Sequence, residues 1–98
     1  MRVRFTQPAQ ADLDGIYAYI SRDNPPAAAR VVTQLIERAQ ALGETPYEGR
    51  ATDEPNARVL TIPRLRYFIF YTMLATRCTL HTFATPHGDD RPVGRGDQ

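Results

Sequence analysis

Apolar positions recur at helical spacing in the first half of the chain and in strand-like runs in the second. Arg2 to Phe5 is a short strand candidate. Thr6 then has the chemistry of a helix N-cap, with Pro8 in the first turn, where its missing N–H costs little. Ala9, Leu13, Ile16, Tyr17 and Ile20 follow on one helical face, and the helix is expected to stop near Asp23. Asn24-Pro25-Pro26 marks a break and a restart, with Asn24 as cap and Pro25 at the first helical position. Ala28, Val31, Val32, Leu35, Ile36, Ala39 and Leu42 form a broad apolar stripe on the second helix. Gly43 is placed to end that helix in a left-handed conformation. Glu44 to Asn56 has two prolines, a glycine and no periodicity, and reads as a loop. Three strands follow, about Arg58–Ile62, Tyr67–Leu74 and Cys78–Thr85, joined by links short enough for hairpins.

This order, β-α-α-β-β-β, predicts an α+β fold: a helical hairpin packed on one face of a small, mainly antiparallel sheet. Tyr67 to Tyr71 is apolar on both faces and should be the central strand. The sheet face away from the helices is expected to carry the arginines and tyrosines. Residues 1–90 read as one domain and 91–98 as a loosely ordered tail.

Composition sharpens this little. The chain has 98 residues, 42% hydrophobic and 23% charged, with a net charge of +1. That suits one modest core. No run reaches the roughly 18 apolar residues of a membrane helix, and Met1 to Phe5 has no signal-peptide core, so a cytoplasmic protein is expected. One cysteine, Cys78, cannot form an internal disulfide and reads as a small buried hydrophobe. Two histidines and one cysteine, scattered, make no zinc motif.

All twelve basic residues are arginine. Arginine binds phosphate or carboxylate through paired N–H groups but does not act readily as a base. The second half strings Arg50, Arg58, Arg64, Arg66 and Arg77 among Tyr47, Tyr67 and Tyr71, then reaches His87. Arg58 shares strand parity with Leu60 and Ile62, so it needs a partner: an acid, loop carbonyls or a target. Arg50 could anchor a loop to Glu48 or Asp53, or meet a target. Arg64 and Arg66 sit in a hairpin link, as solvated turn residues or as a grip on an acidic partner. Tyr71 reads as core or hydrogen-bonded sheet packing before it reads as a stacking platform. Tyr47 could cover the helix hairpin, and His81 reads as a surface histidine.

In order and spacing the chain resembles toxins of the RelE/ParE superfamily of bacterial type II toxin–antitoxin pairs. The residues that carry the likeness are Phe5-Thr6, Ala9, Asp12-Leu13, Ile16, Tyr19-Ile20, Asn24-Pro25 with Ala27-Ala28, and Leu42. Pro46, Gly49-Arg50, Arg58-Val59-Leu60, Tyr67, Ile69, Tyr71 and His87-Gly88 continue it, over about residues 3–91. The helical half resembles the ParE branch most. That resemblance implies a growth-inhibiting toxin that poisons DNA gyrase and is neutralised by a cognate antitoxin, with no metal or cofactor. Antitoxins of this superfamily bind by an amphipathic helix plus an added strand. Tyr17, Tyr19, Ile20, Val32 and Ile36 are the candidate contacts.

The ribonuclease branch, which cuts messenger RNA on the ribosome, is the alternative. There a base, an acid and cations assist attack of a ribose 2′-OH on phosphate. The corresponding candidates are Glu48, Arg58 and His87. Three departures count against it. The chain has no lysine, Phe68 stands where many nuclease members have arginine, and Asp89-Asp90 would repel phosphate. The favoured expectation is therefore target binding through Arg50, Arg58, Arg64, Arg66, Tyr71 and His87 without bond chemistry. A non-toxic binding relative is the third reading.

Overall fold

The computed structural model describes residues 1–85. The expectations for His87, for Asp89-Asp90 and for the 91–98 tail lie outside them.

Strand β1 (Arg2–Phe5) leads into helix α1 (Gln7–Ser21). Thr6 makes that junction twice over: its hydroxyl oxygen accepts the Ala9 amide at 3.1 Å and donates to the Leu80 carbonyl at 3.0 Å. It caps the helix and ties the helix start to the sheet. Two residues, Asp23 and Asn24, separate the α1 C-cap Arg22 from helix α2 (Pro25–Ala41), and the Asn24 side chain accepts from the Ala27 amide at 3.1 Å. So short a turn forces the two helices to pack as a hairpin.

The remaining strands are β2 (Arg50–Ala51), β3 (Ala57–Ile62), β4 (Tyr67–Leu74) and β5 (Arg77–Ala84). They form one sheet in the order β1-β5-β4-β3-β2, with β4 central. β1 runs parallel to β5 and the other pairs are antiparallel. The core lies between this sheet and the hairpin. Ala9, Leu13, Ile16, Leu35, Ala39 and Leu42 pack there against Leu60, Ile62, Ile69, Tyr71, Cys78, Leu80 and Phe83. Burial raises the Cys78 thiol pKa above its ordinary value, as befits an inert hydrophobe.

Four expectations need correction. The stretch 44–56 contains β2, a two-residue edge strand paired with Arg58 and Val59. Such a strand is too short for any periodicity to reveal. Gly43 is not left-handed; Leu42 caps α2 in ordinary helical geometry. Glycine is needed at 43 because β1 starts there: an added Cβ would lie 2.6 Å from the Met1 carbonyl oxygen. The Met1 amino group also donates to the Gly43 carbonyl at 2.7 Å.

The third correction concerns the faces of the sheet. Register places Arg58 opposite Tyr71, Leu60 opposite Ile69 and Ile62 opposite Tyr67. Leu60, Ile62, Ile69 and Tyr71 are all buried, so this row faces the helices. Arg58, Tyr67 and Tyr71 therefore lie on the covered side, not on the open face. The open face instead carries Val59, Thr61, Phe68, Phe70 and Thr72 at its centre.

The fourth correction is Tyr47. It does not cover the helix hairpin; it is 67% exposed.

Candidate functional site

The candidate residues separate into three places. Arg58, Tyr71, Tyr47 and Glu48 gather around the segment 46–49. The Tyr71 hydroxyl accepts the Gly49 amide at 2.9 Å and donates to the Pro46 carbonyl at 2.8 Å. Arg58 Nη1 donates to the Gly49 carbonyl at 2.5 Å and to the Tyr47 carbonyl at 3.4 Å. Its guanidinium stands 5.0 Å from the centre of the Tyr47 ring. Four backbone groups of a loop are thus held by two side chains that face each other across β3 and β4. Of the readings open to Arg58, the contact to loop carbonyls is the one observed.

Gly49 is required by the same construction. A Cβ there would lie 2.7 Å from the Tyr71 hydroxyl and 2.8 Å from the Val59 carbonyl oxygen. The Tyr71 phenol is fully buried. Burial raises its pKa, and the hydrogen bond from Gly49 offsets this only in part. It is a structural phenol, held neutral.

Glu48 turns away from this cluster. Its carboxylate meets Arg38 on α2 at 2.7 Å and accepts from the Thr45 hydroxyl at 3.1 Å. The hydrogen bond from Arg38 is the largest cause lowering its pKa. A carboxylate so stabilised is a weaker base. Glu48 pairs with Arg38, not with Arg50, an assignment that sequence spacing gave no means to make.

Arg50 occupies the second place, exposed on β2 opposite Val59 at the rim of the open face. Arg64 and Arg66 form the third, exposed at the tip of the β3–β4 hairpin, where Arg66 has φ of 64°. Arg64 also borders an open groove of about 620 Å³ between that hairpin and α2, lined by Gln34, Glu37, Arg38 and Leu65. The expected strip is therefore not one surface. His81, which the sequence reads as a surface histidine, is half-buried, with Nε2 2.9 Å from the Thr72 hydroxyl on the open face.

With this geometry in place, the chain compares directly with known families. The model of the ParE toxin of the type II toxin–antitoxin system parDE matches residues 3–91. The chain belongs to the ParE toxin family. A curated relative, "Putative toxin Y4kP" of Sinorhizobium fredii, is 41% identical over 70 residues, 71% of this chain and 73% of that protein. The fold agrees with a solved chain of the chromosomal ParDE TA system from P. aeruginosa at a TM-score of 0.75. That match has 25% identity over 87% of this chain and 95% of the other.

The helical surface of this ParE-family chain divides the antitoxin candidates. Val32 and Ile36 line a shallow groove with Phe5, Leu13, Gln10 and Asp14. Ile20 packs against the core, whereas Tyr17 and Tyr19 stay 44% and 45% exposed. Among the described residues no helix is long and apolar enough to cross a membrane, and no group of three or more His, Cys, Asp or Glu could hold a metal ion.

Proposed function

We propose that this chain is a gyrase-inhibiting toxin that acts in the cytoplasm by binding rather than by bond cleavage, and that a cognate antitoxin neutralises it. Membership of the ParE family supports the toxin role, and the P. aeruginosa ParDE structure supports an antitoxin partner. The observation that carries the binding mode is the employment of Glu48 and Arg58. Glu48 is committed to Arg38 and Thr45, and Arg58 to the backbone of the 46–49 loop. A nuclease would need the first as a proton acceptor and the second as a phosphate ligand.

The test is growth arrest by a Glu48→Gln, His87→Ala double variant expressed without antitoxin. Arrest equal to that of the unaltered chain is expected. Loss of arrest in a variant that still folds would favour ribosome-dependent cleavage of messenger RNA. An unaltered chain that leaves growth untouched would favour the non-toxic reading.

A further inference from the structure

The five strands hold five arginines and no aspartate or glutamate. One of the five, Arg58, is used to hold the loop. The other four are exposed: Arg2 and Arg4 on β1, Arg77 on β5 and Arg50 on β2. Val3 and Phe5 alternate with Arg2 and Arg4 and pack against the core, so the two arginines project to the open face. Arg77 lies between the core residue Cys78 and the turn, with the same parity as Thr79.

Pairing brings three of these charges to one corner. Arg2 is the direct neighbour of Arg77, and Arg4 of Thr79. Like charges set side by side on adjacent strands destabilise a sheet. Arg2, Arg4 and Arg77 make no ion pair among the described residues. An anion lying across them would relieve the repulsion.

Among the described residues, the open face continues from that corner without a carboxylate. Thr79 pairs with Thr72, whose hydroxyl meets His81. The register of β4 against β5 shifts between Phe70 and Tyr71, leaving His81 as the extra residue of a bulge. The bulge turns His81 and Thr82 both to the open side while Leu80 and Phe83 remain buried. Next along β4 come Phe70 and Phe68, two residues apart on the same face and half-buried.

We propose that this open face binds single-stranded nucleic acid. Arg2, Arg4 and Arg77 hold backbone phosphates at the β1–β5 corner, and Phe70 and Phe68 stack bases along the central strand. Arginines along one margin of a sheet and aromatic residues at i and i+2 on its middle strand supply the two interactions such ligands need: charge and a π-face. An acidic peptide would use the arginines but not the phenylalanines. The inference does not rest on gyrase as the target, and failure of either reading leaves the other standing.

The test is fluorescence anisotropy of the full-length chain with a labelled single-stranded DNA of about 12 nucleotides, across a salt series. Binding should weaken with salt. An Arg4→Gln, Arg77→Gln double variant should lose about 10-fold or more in affinity and about 1.4 from the log–log salt slope. Phe70→Leu, which keeps apolar bulk, should lose about 5-fold or more. Arg30→Gln, on the outer side of α2, should bind like the unaltered chain. Absence of salt-sensitive binding, or equal weakening by Arg30→Gln, would overturn the proposal. So would a poly-glutamate peptide that competes as well as unlabelled DNA, because that would mark a site for acidic protein.

Discussion

The Tyr71 hydroxyl and the Gly49 amide, 22 residues apart in sequence, meet at 2.9 Å inside the molecule. With the Pro46 carbonyl on its other side, this one phenol satisfies both a donor and an acceptor of the loop. Tyr71→Phe removes the oxygen and leaves two backbone groups without it. A loss of about 1–3 kcal/mol is expected, read by denaturant unfolding. A change within experimental error would show that the loop finds other partners at no cost.

Arg58 holds the same loop from the side. Arg58→Ala should release residues 46–49, seen as faster amide exchange at Gly49 and a stability loss of about 1.5–3 kcal/mol. Arg58→Lys should recover only part, since an ammonium keeps the charge but not the planar stacking on Tyr47. Unchanged exchange in Arg58→Ala would contradict the structural role.

The Glu48–Arg38 pair predicts a small pH effect with a definite sign. The folded-state pKa of Glu48 is lowered, so its stabilisation is fully present above the unfolded carboxylate value. It is lost as pH falls through the lower folded value. Both side chains are more than a third exposed, so screening limits the pair to about 0.2–1 kcal/mol. The unaltered chain should exceed Glu48→Gln by that amount near pH 7, and the gap should close in acid. A gap that widens in acid would reverse the assignment.

Ala75 has φ of 55° in the β4–β5 turn. A residue with a Cβ is strained there, by about 1 kcal/mol. Ala75→Gly should raise the midpoint of thermal unfolding. A lowered midpoint would mean that the flexibility glycine adds to the unfolded chain outweighs the relief of strain.

Local chemistry made much of this fold legible. Thr6 and Asn24 announced both helix starts, and the Tyr67–Leu74 run announced the central strand. The parity of Arg58 with Leu60 and Ile62 already pointed inward, and Tyr71 already read as hydrogen-bonded packing. What could not be read was pairing across distance. Nothing near Glu48 in sequence indicates Arg38, and nothing near Gly43 indicates Met1. The β5 bulge shows only as a slip in spacing, with Cys78 and Leu80 two residues apart but Leu80 and Phe83 three. The open face was misjudged for the same reason: the strip of arginines and tyrosines is continuous in sequence, but register divides it between two faces and a hairpin tip.

Supercoiling of relaxed plasmid by purified gyrase tests the central claim most directly. Added toxin should inhibit it in proportion to concentration, and a cognate antitoxin should restore it. Unimpaired supercoiling, alongside cleavage of messenger RNA by the same preparation on ribosomes, would contradict the account.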